Sequence, residues 1–246
     1  ALLLVGNAAF HWQAWGGGYA ARGPGLRLGL AAAVLLIALI GGRIVPSFTR
    51  NWLVREGHAA RPVPPMAGFD RLALALLLVA LLLWLVRPMA PVTGAALLLA
   101  GVAHLVRLAR WSGAHTGAEP LVWILHAGYG FVPVGALALG IAVLWPGLVA
   151  PASAQHLWMA GAIGTMTLAV MTRATLGHTG QALHAGPGTV AIYLAVIAAT
   201  LLRGAAGWLP AWETPLHWVA GALWIGAFAG YCMGYGAALL RPRKGR

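Results

Sequence analysis

The chain has 246 residues, 61% of them hydrophobic and 8% charged, with a mean hydropathy of +0.82. So few charges cannot clothe a water-exposed surface, which excludes a soluble domain and puts the chain in a bilayer. The net charge of +12 does not point to nucleic acid, because the 16 Lys and Arg residues fall between apolar stretches, where membrane topology explains them.

Crossing a hydrocarbon core of about 30 Å takes roughly 20 helical residues, and lipid offers no partner to an open backbone. In chain order, a short apolar piece at Ala1–Trp15 precedes spans near Leu26–Pro46, Phe69–Val86, Met89–Trp111, Pro120–Trp145, Ala154–Ala174, Gly188–Leu202 and Thr214–Leu240. The expected fold is all-α: a polytopic transmembrane helix bundle of about seven complete spans plus a partial N-terminal span, with residues 1–246 as one membrane-embedded domain. The first piece is short for a span, starts on Ala and lacks the basic flank of a signal peptide, so the chain is expected to begin inside a longer protein.

Residues 47–68 read as a long loop. Phe48 and Trp52, four apart, suit a short helical turn on the membrane surface, and Arg61-Pro-Val-Pro-Pro65 suits a stiff extended connector. With alternating crossings, twelve of the 16 basic residues collect on one side and only Arg22, Arg27, Arg87 and Arg203 on the other. The positive-inside rule then puts the 47–68 loop and the basic 241–246 tail in the cytoplasm. Tryptophan agrees in depth: Trp84, Trp158 and Trp218 mark the outer boundary, Trp52 and Trp111 the inner one, and of the twelve only Trp224 lies deeper.

In the last span Ala222, Gly226, Gly230, Gly234 and Ala238 recur every fourth residue. Small residues on one face let a neighbour approach closely, as a packed helix, a second copy or a flat cofactor. Cys232 stands alone, so there is no disulfide, iron–sulfur set or C-x-x-C-H, and any haem must be held non-covalently, most simply by histidine. Glu56, Asp70, Glu119 and Glu213 lie in loops or at span ends and make no catalytic acid/base pair.

Histidine depth carries the most information. His104 lies seven residues before Trp111 and His126 six after Pro120, so both sit roughly 9–10 Å inside the same boundary, on spans joined by a short loop. Two imidazoles at one level on antiparallel neighbours can hold a haem iron from opposite faces or contribute to a copper site. His178 and His184 lie near that boundary too, with Arg107, Arg110 and Arg173 available for carboxylates such as haem propionates. On the outer side His11, His156 and His217 form a second set, with Met159 one turn deeper than His156 and Met166 continuing its stripe. Imidazole with thioether suits copper, Met favouring Cu(I). The plainer readings are interfacial imidazoles bonded to carbonyls or headgroup water, and methionines that simply pack. His58 and His115, in loops, take that plainer reading.

Gly161-Ala-Ile-Gly-Thr-Met-Thr-Leu-Ala-Val-Met-Thr-Arg-Ala-Thr-Leu-Gly-His-Thr-Gly180 closely resembles the signature segment of NnrS family proteins. Gly41-Gly-Arg-Ile-Val-Pro-Ser-Phe-Thr-Arg-Asn-Trp52, Leu125-His-Ala-Gly-Tyr129 and Gly6-Asn-Ala-Ala-Phe-His11 extend the resemblance over most of the chain. The resemblance implies the C-terminal portion of a bacterial inner-membrane protein of the nitric oxide response that contains haem and copper. It implies protection against nitric oxide and nitrosative stress, by binding nitric oxide or limiting iron–nitrosyl species, with His126, Arg173 and His178 as motif positions. The residues themselves leave open a b-type electron-transfer subunit, a metal or small-anion transporter and a structural subunit. They show no nucleophile or acid/base constellation that would assign turnover.

Overall fold

A computed structural model describes residues 1–240; the expected basic tail at 241–246 lies outside the described residues. The described residues form helices joined by short turns, with no strand among them: α1 (Leu2–Trp15), α2 (Pro24–Arg55), α3 (Gly68–Val86), α4 (Pro91–Ala109), α5 (Pro120–Leu144), α6 (Pro151–His156), α7 (Met166–His178), α8 (Pro187–Ala205) and α9 (Glu213–Leu240). Between α6 and α7, Leu157–Thr165 is a π-helix, so the helical path runs without a break from Pro151 to His178. By length and composition, six helices can cross a membrane: α2, α3, α4, α5, α8 and α9. Their outward faces carry exposed apolar side chains such as Leu36, Leu72, Leu99, Leu194 and Ile225, the surface that lipid covers.

Proline starts five of these helices. Pro24, Pro91, Pro120, Pro151 and Pro187 occupy the first turn of α2, α4, α5, α6 and α8, where the missing N–H would have had no helical partner anyway. Inside a helix the same residue acts differently. The second span, expected to stop at Pro46, runs on to Arg55, because one missing N–H removes one bond while the Ser47 and Thr49 hydroxyls donate back to the Arg43 and Val45 carbonyls. The helical turn expected at Ser47–Leu53 therefore exists as the end of α2, and the connector shortens to residues 56–67. At 32 residues α2 is about 48 Å long, so its last turns stand beyond a 30 Å core.

α5 runs through the middle of the bundle, against α2, α4 and the α6–α7 run. One layer of core joins Val34, Ala38, Leu77, Leu97, Val132 and Trp158; the other joins Val45, Trp111, Leu125, Tyr129, Leu168 and Tyr193. The tryptophans correct one expectation. Trp52, Trp84, Trp111 and Trp158 point inward and are buried, Trp84 and Trp158 meeting edge to face at 5.6 Å, whereas Trp12, Trp145, Trp208, Trp212 and Trp218 are exposed. Their position along the chain gave a level in the bilayer and not a direction around the helix.

Glycine lets neighbours press close against the π-segment. Phe131 packs where a side chain on Gly161 would stand, Trp224 does the same at Gly164, and the Trp158 indole lies on Gly135 while donating to the Val132 carbonyl at 2.9 Å, beside Pro133. A widened turn of this kind re-aims the residues it carries. Here it presents Met159 and Ala160, with His156 just before them, to one cavity.

Candidate functional site

Three polar assemblies lie within the bundle: a filled network among α2–α5, and two cavities on the side of α7, α8 and α9. The network centres on Arg107, which is fully buried. Its Nε donates to Asp70 Oδ1 at 2.9 Å, and its Nη1 donates to the Ala38 carbonyl at 2.9 Å and to the Tyr129 hydroxyl at 2.7 Å. The guanidinium also faces the Trp111 ring, 5.2 Å from its centre. Having accepted from Arg107, Tyr129 Oη donates to His104 Nδ1 at 2.8 Å, and His104 Nε2–H donates to the Ala73 carbonyl at 3.0 Å. Gly41 and Gly42 make room for it: a side chain at Gly42 would collide with the guanidinium, and one at Gly41 would meet the Tyr129 ring at 3.1 Å.

This geometry revises two sequence expectations. His104 and His126 do lie on packed neighbours, α4 and α5, but they do not face each other across a cavity. His104 turns toward α3 and spends both ring nitrogens on hydrogen bonds, leaving no lone pair for iron. Arg107 bonds Asp70 through Nε and Tyr129 through Nη1, while its buried Nη2 has no hydrogen-bond partner. Arg110 lies over Phe69, 4.9 Å from the ring centre, and Arg173 over Phe48 at 4.1 Å.

His126 differs from His104. Thr49 Oγ1 already donates to Val45, so it accepts from His126 Nε2–H at 2.7 Å, and Nδ1 keeps a lone pair that is buried against Gly113 with no partner.

The larger cavity, about 1320 Å³, opens between the end of α7, the 179–186 turn, α8 and α9. His178, His184, Gln181, Thr189 and Tyr235 line it, and Gly226, Gly230 and Gly234 form one wall. That glycine face was expected as a packing seam or a cofactor wall. Only Gly230 meets a neighbour, Ile192, at 3.0 Å; a side chain on Gly226 or Gly234 would meet no atom within 4 Å. Three Thr–Tyr pairs hold the surrounding helices together: Thr172–Tyr193 and Thr175–Tyr231 at 2.5 and 2.9 Å, and Thr189–Tyr235 at 2.6 Å. Glu119, nearly fully buried, caps α5 by accepting from Leu121 N at 3.0 Å and takes His184 Nδ1 at 3.1 Å on its other oxygen, which leaves His184 Nε2 free at the cavity.

The smaller cavity, about 590 Å³, brings together His156, Met159, Arg203 and His217 with Trp224. His156 Nδ1–H donates to the Ala152 carbonyl at 2.7 Å, so the lone pair lies on its Nε2. His11 does not join this group; it is exposed on α1, which packs on α2. Met166 leaves it as well, because it turns inward against Gly128 as core.

A family model described as NnrS protein matches residues 1–243. The chain belongs to the NnrS family. Membership makes it a multi-pass membrane protein and points to the nitric oxide response. No curated protein and no solved structure matches this NnrS chain. Among its described residues no three His, Cys, Asp or Glu side chains converge, so a metal held by this chain alone would need a thioether, water or another group beside its histidines.

The polar parts least visible in the sequence were Asp70, Tyr129 and the Thr–Tyr pairs. A carboxylate beside the start of a span looks like a loop residue until Arg107, 37 positions away, packs on it. Glu119 did carry a signal: an acidic residue directly before a helix-starting proline is a natural cap.

Proposed function

We propose that this NnrS-family chain is a haem- and copper-binding membrane protein that protects against nitric oxide, by binding nitric oxide or limiting iron–nitrosyl species. Family membership over residues 1–243 supports the nitric oxide part. One observation carries the cofactor part: His178 and His184 open on the same glycine-walled cavity, large enough for a macrocycle. His184 is the better iron ligand, since Glu119 fixes its Nδ1 and leaves Nε2 free, the arrangement in which a carboxylate orients a metal-binding imidazole. A ferrous haem held there by these histidines would supply an iron able to bind nitric oxide. Ligation by both histidines would favour the electron-transfer reading, and their sharing of one cavity is what keeps it in view.

His156, His217 and Met159 suit copper, because imidazole with thioether is a soft donor set. Arg203 beside them favours the monovalent over the divalent ion, the lower charge being less repelled. The chain's own residues thus bind and orient at two ends of the α7–α9 region, with Arg173 and His126 outside both cavity linings. A haem against Gly226 and Gly234 would also exclude self-association through the Ala222/Gly226/Gly230/Gly234 face. The positive-inside count supports an inner-membrane setting with the α2–α3 connector and C-terminus cytoplasmic.

The test is visible spectra of the full-length, detergent-purified protein, oxidised, reduced and nitric-oxide-treated, with iron and copper content. His184→Ala and His178→Ala should lose or shift the Soret band without lowering copper, and His156→Ala with His217→Ala should do the reverse. A featureless spectrum after growth with ample haem, together with no copper, would remove the cofactor reading and bring metal or anion transport forward.

A further inference from the structure

Two histidines far apart in sequence, and used by none of the assemblies above, meet where the α2–α3 connector lies over the turn between α4 and α5. The His58 and His115 rings have centres 5.3 Å apart and planes inclined at 52°, and both side chains are exposed.

Their backbones are held from both sides. α2 ends in a tight cap in which Gly57 N bonds Val54 O at 3.1 Å and His58 N bonds Leu53 O at 2.9 Å. Gly57 takes φ +68 there, which glycine adopts without strain. Arg61 then donates to the His58 and Ala60 carbonyls. Across from it, Ser112 at φ +58 starts the short turn in which His115 N bonds Ser112 O at 3.2 Å, and Thr116 closes on Gly113 O through both its N and its hydroxyl. The two segments are docked to the same bundle by the contact of Trp52, Leu53 and Ala60 with Val122, and by Val63 N on the Arg110 carbonyl at 3.1 Å.

A cation bound by ring nitrogens at about 2.0–2.1 Å stands about 3.2 Å from each ring centre, and a tetrahedral angle between two such ligands separates the centres by about 5 Å. The observed 5.3 Å separation of the ring centres matches that spacing. We propose that His58 and His115 form a two-imidazole binding site for a borderline first-row divalent cation of the Zn²⁺ type, completed by water. The donor set selects the class: neutral imidazoles suit zinc, nickel or copper, whereas magnesium and calcium need oxygen ligands, and the nearby Glu56 is paired with Arg55 at 3.1 Å. Arg61 adds a positive charge beside His58, which weakens purely electrostatic binding and leaves coordination as the source of affinity. A bound ion ties the connector to the turn whose Gly113 covers His126 Nδ1. This site rests on neither the haem nor the copper assignment.

The experiment is a Zn²⁺ titration, against a chromophoric chelator, of metal-stripped full-length protein carrying His156→Ala, His178→Ala, His184→Ala and His217→Ala, so that neither cavity competes. Both His58→Gln and His115→Gln, each checked for folding by gel filtration, should lose the same single equivalent or weaken it about tenfold or more. Cu²⁺ added in place of zinc should show the hyperfine pattern of two imidazole nitrogens in the parent and not in either variant. Unchanged binding in both variants, or loss in only one of them, overturns the site.

Discussion

The two sides of this bundle use the same residue types for opposite ends. Among α2–α5, Gly41 and Gly42 make room that Tyr129 and Arg107 fill, and the buried Arg107–Asp70 pair is joined by hydrogen bonds from Arg107 to the Ala38 carbonyl and the Tyr129 hydroxyl. Among α7–α9, Gly226 and Gly234 make room that no neighbour fills, and the polar groups there are hydroxyl pairs and outward-turned histidines around a cavity. A glycine face therefore says that something comes close. Whether that is part of the fold or a ligand depends on what stands opposite. Histidine divides the same way: His104 is hydrogen-bonded through both ring nitrogens in the network, while His178 and His184 line a cavity.

The sharpest way to break this contrast is at the ion pair. Asp70→Asn leaves Arg107 charged, buried and without its counter-ion, and should cost about 3–5 kcal/mol of stability. Thermal unfolding of the detergent-solubilised full-length protein measures it; an unchanged midpoint would mean that Arg107 finds water or another partner. Next comes the glycine comparison itself. Gly42→Ala forces a methyl group into the guanidinium and should cost about 1–3 kcal/mol in the same assay. Gly234→Leu, on the open side, should stay within about 0.5 kcal/mol of the parent while abolishing or shifting the haem spectrum. If Gly234→Leu destabilises as much as Gly42→Ala, the α9 face is a packing seam after all and the cavity is not a binding site.

Much of this was legible in the chain. Apart from α2, which runs nine residues past the expected end at Pro46, the apolar runs gave the helices to within a few residues, because length and hydropathy answer directly to bilayer thickness. The resemblance centred on Gly161–Gly180 gave the family that the whole chain matches. His11, His156, His217 and Met159 were grouped by depth alone, and the fold brings all of them but His11 to one cavity. Depth did not give direction: His104 and His126 turn toward α3 and α2, and Trp84 and Trp158 face inward. Residue counting along a helix fixes height; the rotation of each helix about its axis is set by packing against neighbours distant in sequence.

By itself, then, the sequence determined that the protein is a helical membrane bundle of the NnrS kind, with prolines starting its helices and histidines near its boundaries. Those properties follow from local composition and from the cost of an unpaired backbone in lipid. Only the tertiary structure decided that Arg107 pairs with Asp70, that Glu119 holds His184 at a cavity, and that His58 meets His115. Each of these joins residues on different helices or loops, and only the close packing of side chains in three dimensions selects such partners.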